Sequence, residues 1–108
     1  MGWTVETLDR LVDEELSELP FDMRAKFVRI SFLIENVGLE RVKAPHVKHI
    51  QDALWEIRMI GKDGIARALY VTATGRRVLI VRVFIKKTQK TPRHEIELSL
   101  ERARRILK

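Results

Sequence analysis

The sequence predicts an α+β domain with the element order β-α-α-β-β-β-α. Apolar residues recur with helical spacing up to Gly38, short runs rich in Val, Ile and Leu replace that spacing over residues 53–86, and helical spacing returns after Pro92. We expect two N-terminal helices and a C-terminal helix to cover one face of a small antiparallel sheet. The 108 residues contain no cysteine and are 45% hydrophobic, so we expect a single domain, residues 1–108, with a core that needs no disulfide.

The N-terminal part begins with a short extended segment, Trp3 to Leu8, which two predicted helices follow. The run "LDRLVDEELSELP" has helical spacing with acids on the opposite side, and Pro20 ends it. A second helix in "FDMRAKFVRISFLIENVG" ends at Gly38. The two apolar stripes consist of Leu8, Leu11, Val12, Leu16 and Leu19, and of Met23, Phe27, Ile30, Ile34 and Val37.

Three strands are predicted in "ALWEIRMI", "IARALYVTA" and "RRVLIVRVFIK", after an irregular stretch over residues 39–53. Asp63-Gly64 is a hairpin signal between the first two strands, and Gly75 marks the turn before the third. Strand alternation places Glu56 and Arg58 on the face opposite Trp55, which we expect to pack in the core.

The last predicted helix lies in "TPRHEIELSLERARRILK". Thr91 is a candidate cap and Pro92 suits the first helical position. The apolar residues with helical spacing are Ile96, Leu100, Ala103 and Leu107.

Positive charge is concentrated in the second half of the chain. Residues 55–108 carry 14 Lys/Arg and 5 Asp/Glu, a net +9, whereas residues 1–54 carry a net −3. The segment "IKKTQKTPRH" at 85–94 holds four cations and a histidine without an acid. A field of this kind attracts polyanions, and nucleic acid is the commonest of them. A solvated basic face without a ligand is an equal alternative.

Several classes of function find no support in the sequence. There is no phosphate-binding or dinucleotide-binding glycine motif, and the serines lie in helical segments without a nearby histidine. His46 and His49 lack a third ligand at a suitable spacing, so we expect no metal and no other cofactor. Acids interrupt the N-terminal region and no apolar run is long enough to span a membrane, so we expect a cytoplasmic protein without a membrane partner.

The cations are expected to meet on the uncovered face of the sheet, where they would hold phosphates. An arginine inside "VLIVRVF" is costly to bury unpaired, so Arg82 should reach that face or a carboxylate, and Glu56 is the candidate partner across the sheet. The predicted cationic face consists of Arg58, Arg67, Arg82 and Lys86, with Lys87, Lys90, Arg93 and His94 at its rim.

Such a face suits RNA cleavage without a metal ion. This reaction needs a base for the 2′-hydroxyl proton, an acid for the leaving 5′-oxygen, and cations for the extra charge on the phosphorane. His94 is the histidine of the basic segment and is therefore a candidate for proton transfer; the alternatives are that it is a surface residue, or that crowded lysines transfer the protons.

The segments "LWEIR", "RALY" and "VFIKKTQKTPRHEIELSLERA" resemble the phage-derived branch of the RelE/HigB superfamily, toxins of bacterial type II toxin–antitoxin modules. The resemblance covers most of the chain, and "KKTQKTP" before an acidic-apolar helix is its most specific part. It implies a metal-independent endoribonuclease, an mRNA interferase that cuts messenger RNA on the ribosome. It also implies a cognate helix-turn-helix antitoxin.

The resemblance also implies that Arg58, Arg67, Lys86 and Lys87 are catalytic residues. His94 of the basic segment is the further catalytic candidate. The cationic face itself gives the RNA-binding candidates, which are Arg82, Lys90 and Arg93. Some relatives carry a catalytic tyrosine on the final helix, and this chain has none there. Glu56 also stands where some relatives have a base. Two other interpretations therefore stay open: a non-catalytic RNA-binding or ribosome-binding or degenerate toxin, and a module whose basic face binds an acidic helix of another protein.

Overall fold

A five-stranded mixed sheet forms the centre of the protein in the computed structural model, which describes residues 2–86 and 90–105. Its strands are β1 (Thr4–Thr7), β2 (Val47–Gln51), β3 (Leu54–Gly61), β4 (Gly64–Ala73) and β5 (Arg77–Lys86). They lie in the order β1-β5-β4-β3-β2. The described helices are α1 (Arg10–Ser17), α2 (Phe21–Val37) and α3 (Arg93–Arg104), with a 3₁₀ turn at Leu39–Arg41.

The predicted element order is confirmed, with one strand more than expected. Strand β2 lies within the stretch that the sequence indicated as irregular, because only its first residue, Val47, is buried and an edge strand of this kind carries little apolar pattern. Pairing within β2–β5 is antiparallel, but β1 pairs with β5 in parallel, so the sheet is mixed.

Local signals explain most element ends. The Asp9 side chain accepts a hydrogen bond from the Val12 N–H at 3.1 Å and caps α1. Gly38 follows α2 with a φ of 98°, a conformation that favours glycine. Strands β3 and β4 join through a two-residue loop between Gly61 and Gly64, as the hairpin signal predicted.

The expectation that all helices cover one face of the sheet is wrong. Helices α1 and α2 pack on one face, in a core that includes Val12, Met23 and Ile57. Helix α3 packs on the opposite face, in a second core that includes Leu69 and Ala103. The reason is that β4 is buried over residues 65–71, on both of its faces, and therefore needs cover on both sides.

Trp55 does not pack in the core as expected, since its side chain is 39% exposed. It lies opposite His49 of the edge strand β2, with ring centroids 4.8 Å apart. Together with Trp3 and Tyr70 it lines a cavity of about 500 Å³. No helix in the described part of the chain is long and apolar enough to cross a membrane.

Candidate nucleic-acid interface

A buried ion pair lies on the face of the sheet that α3 covers. Arg67 Nη1 and Glu56 Oε2 are 3.2 Å apart, and both side chains are completely buried. The prediction that Arg67 is exposed on an uncovered face is therefore wrong. The alternation of side chains along β4 predicts correctly on which face of the sheet Arg67 lies. That face is not open at Arg67, because the chain at the start of α3 covers it.

Thr91 connects this ion pair to the start of α3. Its hydroxyl donates to Glu56 Oε1 at 2.8 Å and accepts from Arg67 Nη1 at 3.1 Å. The predicted capping role of Thr91 is wrong, because Pro92 is the cap residue and no side chain caps the helix. The hydroxyl instead satisfies two charged groups inside the protein, where unpaired charge would be costly.

Arg58 completes what we call the Glu56 cluster, which consists of Glu56, Arg58, Arg67 and Thr91. Arg58 and Arg67 are directly opposite each other on β3 and β4. The Arg58 Nε atom lies 3.7 Å from Glu56 Oε2, and its side chain is 16% exposed. One carboxylate thus serves two guanidinium groups, so the cluster has a net positive charge that Arg58 carries towards the solvent.

A shallow groove of about 300 Å³ lies beside the cluster, between β2 and the start of α3. Two exposed cations, Lys48 and Lys90, are on its walls, and Thr91 belongs to both the groove and the Glu56 cluster. The remaining lining residues are His49, Ile50 and Ile96. Lys48 was not among the residues predicted from the sequence, because the strand that carries it was not predicted.

The other rim residues are on the surface of α3. Arg93 and His94 have side chains that are 84% and 76% exposed. His94 Nε2 lies 3.6 Å from Glu95, and Arg93 Nε lies 3.3 Å from Glu97. The structure therefore leaves both first-turn residues accessible to a ligand.

Lys86 ends β5 and is half-buried, opposite Ile65 of β4. Its register places its side chain on the same face of the sheet as Arg67. It lies two positions further along β5 than Phe84, the residue that is opposite Arg67. Lys87 lies outside the described residues.

Arg82 pairs with carboxylates, one of the two outcomes expected for it, but its partners are Glu15 and Glu95 instead of the candidate Glu56. Its Nε lies 2.7 Å from Glu95 Oε1 and its Nη1 lies 2.9 Å from Glu15 Oε2. The hydrogen bond to Glu95 raises the pKa of Arg82 above its ordinary value. Arg102 also binds Glu15, at 3.0 Å, so two arginines and two carboxylates form a neutral network that joins α1, β5 and α3.

The described residues contain no group of three or more His, Cys, Asp or Glu side chains that could hold a metal ion. His46 lines a different cleft from the groove with His49.

Residues 14–104 match the model of the family described as "Phage derived protein Gp49-like (DUF891)". The chain belongs to this Gp49-like family. The resemblance to the phage-derived branch of the superfamily is thereby confirmed. No curated protein matches the sequence.

Solved RelE structures share the fold of this Gp49-like chain. One is a double arginine-to-alanine mutant of the Escherichia coli toxin RelE in the free state, with 16% identity, a TM-score of 0.61, and coverage of 98% of this chain and 99% of that one. Another is the archaeal RelE–RelB complex from Pyrococcus horikoshii OT3, with 18% identity, a TM-score of 0.55, and coverage of 83% and 100%. At these identities the likeness establishes the fold.

Proposed function

We propose that this Gp49-like protein is the toxin of a type II toxin–antitoxin module and cleaves messenger RNA on the ribosome in the cytoplasm. The cleavage uses basic residues and neither a metal nor another cofactor. One observation carries the proposal: on a RelE fold, Glu56 and Thr91 connect the partly exposed Arg58 to the exposed cationic start of α3.

The residues take different roles in this proposal. Arg58, Lys86 and Lys87 stabilise the extra charge on the phosphorane. His94 transfers a proton, since its imidazole is exposed at the start of α3. Lys90 and Arg93 bind phosphates of the RNA on either side.

Arg67 and Arg82 receive supporting roles instead of contact with RNA. Arg67 is completely buried and holds Glu56, which in turn orients Arg58, so we assign it as a positioning residue. Arg82 is engaged by two carboxylates, so we assign it to holding α3 against β5.

The proposed partner is a small helix-turn-helix antitoxin encoded beside this gene. Support comes from the RelE–RelB complex, in which a protein of the same fold is bound to its partner. A short neighbouring reading frame whose co-expression restores growth would support this assignment.

The test is induction of the protein alone in bacteria, followed by primer extension on messenger RNA. We expect growth arrest and new 5′ ends with the wild-type protein. Arg58→Ala should lower cleavage on the order of 10²-fold, because one preorganised cation at the phosphorane is removed. Arg24→Ala, which removes an exposed cation of α2, is the matched control and should cleave normally. Unimpaired growth with confirmed expression of folded protein would contradict the proposal.

A second candidate function is RNA or ribosome binding without cleavage. It is favoured by the position of the single tyrosine, Tyr70, which is 1% exposed in the core, so that the described part of α3 provides no phenol for proton transfer. Growth arrest without new 5′ ends would select this function. Loss of binding to RNA altogether, with retained binding to a protein partner, would select the protein-docking interpretation.

A further inference from the structure

A second cationic cleft lies between α2 and the part of β3 that extends past its pairing with β2. It is separate from the groove described above. Its volume is about 250 Å³, and three cations and a histidine are on its walls: Lys26, Arg29, Arg58 and His46. The other lining residues are Ile30, Leu33, Pro45 and Ile60, so none of the described residues that line the cleft is an acid.

Lys26 and Arg29, the two cations that α2 contributes to this cleft, form no salt bridge with the described residues, whereas Arg58 contacts Glu56. Lys26 Nζ donates to the Ile60 carbonyl, a contact that fixes the ammonium group without neutralising it. The carboxylate nearest to Lys26 on the helix face, Asp22, accepts instead from the Lys62 backbone N–H at 2.8 Å. The cations Lys26, Arg29 and Arg58 around one small concavity focus a field that attracts anions.

Arg58 makes this cleft continuous with the candidate interface. It lines the cleft and also contacts Glu56 in the Glu56 cluster. Its backbone N–H donates to the His46 carbonyl at 2.8 Å, which fixes the loop wall of the cleft against β3. A path of cations thus runs from α2, over the edge of β3, to the start of α3.

We propose that this cleft binds phosphates of the RNA strand that enters the candidate site, so that the strand bends around the edge of β3. The proposal rests on the proposed function. RNA is favoured over an acidic protein helix because the cleft continues a path that already leads to the reacting phosphate, and because strands with regularly repeated charges suit a row of cations.

Binding of a short single-stranded oligoribonucleotide with 2′-O-methyl groups, which cannot be cleaved by 2′-hydroxyl attack, tests the proposal without any chemistry. Its affinity is measured by fluorescence anisotropy at several salt concentrations. Lys26→Ala with Arg29→Ala should reduce the slope of log affinity against log salt by about 1.4, since each lost phosphate contact on a single strand contributes about 0.7.

Arg10→Ala with Arg24→Ala is the matched control. It removes the same charge from exposed positions of α1 and α2 that do not line the cleft, and it should leave the slope nearly unchanged. Lys26→Arg with Arg29→Lys retains the charges and should keep the wild-type slope. Equal urea midpoints establish that the variants are folded, and Lys26→Gln with Arg29→Gln replaces the alanine pair if that pair is unfolded.

The outcomes separate this proposal from the proposed function. If the cleft variant and the Arg10/Arg24 control change the slope equally, the effect is due to net charge alone, and the proposed binding of RNA in the cleft is wrong. An unchanged slope in Lys26→Ala with Arg29→Ala would also contradict RNA binding in the cleft. If this variant instead loses binding to the protein encoded beside this gene, the cleft binds a protein partner. Wild-type binding that does not depend on salt would contradict the proposed function itself.

Discussion

Glu56 and Arg67 form an ion pair with no exposed side-chain surface, between positions that the sequence alone would place on a solvent-facing side of a sheet. Thr91 closes the pair from the start of α3. Burying two charges costs several kcal/mol per ion, and this cost is offset only when the partners and hydrogen bonds are in place. The pair therefore makes the position of α3 and the position of Arg58 depend on each other.

Arg67→Ala should destabilise the protein by about 3–5 kcal/mol, because it leaves a buried carboxylate without its main partner. Urea unfolding measures this loss. Arg58→Ala is the control: it removes a partly exposed cation, leaves the buried pair intact and should cost much less.

A double substitution distinguishes the contribution of the two buried charges from the contribution of side-chain packing at the same positions. Arg67→Met combined with Glu56→Leu replaces both charges by apolar groups and should recover much of the stability lost in Arg67→Ala. A wild-type urea midpoint for Arg67→Ala alone would show that the buried pair contributes nothing to stability.

The helices and the three inner strands were predictable because their signals are local. Met23, Phe27, Ile30 and Ile34 repeat with helical spacing, and all four are buried. Arg93 and His94, which the sequence placed at the rim of the cationic face, also have exposed side chains. The single domain stays an expectation that nothing in the structure tests.

The burial of Arg67 and the role of Thr91 were not predictable from local pattern. Alternation along β4 assigns Arg67 to a face, but it does not reveal that a helix more than twenty residues later covers that face. Capping statistics favour Thr91 at a helix start, and a long-range contact with Glu56 overrides them. Strand β2 was missed for a related reason, since its partner β3, and not its own apolar content, holds it in place.

Glu15 should be important for stability because it joins three elements. It contacts Arg82 and the buried Arg102, and it accepts from the Val83 backbone N–H at 3.0 Å. Glu15→Gln should lower the free energy of unfolding by about 1.5–3 kcal/mol, the range for hydrogen bonds to charged groups. Glu14→Gln is the matched control, since it makes the same change of charge at an exposed position of α1. Equal urea midpoints for the two variants would contradict the prediction.

Alkaline pH should unfold the protein partly through Tyr70. Burial raises the pKa of its phenol well above the ordinary value, so the folded state favours the neutral form. The stability due to this group is complete below the unfolded-state pKa of about 10 and is lost as the pH rises further, by about 1.4 kcal/mol per pH unit.

Because the chain has one tyrosine, tyrosinate absorbance reports this residue alone. Absorbance should rise together with unfolding, and Tyr70→Phe should have a shallower loss of stability above that pH. Ionisation near the ordinary pKa in a folded protein would refute the burial of the phenol.

His94→Gln should lower the rate of RNA cleavage about 10²-fold without loss of stability. The side chain is 76% exposed and makes a single described contact, to Glu95 at 3.6 Å, so its replacement should leave the urea midpoint unchanged. Glutamine preserves hydrogen bonding but has no proton that titrates in the physiological range, whereas histidine changes its charge there.

The measurement is the single-turnover cleavage rate of ribosome-bound messenger RNA between mildly acidic and mildly alkaline pH, compared for the two proteins. If His94 transfers a proton, the variant loses both rate and the pH dependence due to the imidazole. A variant with the wild-type rate and the wild-type pH profile would exclude His94 from the chemistry and make Lys86 and Lys87 the candidates for proton transfer.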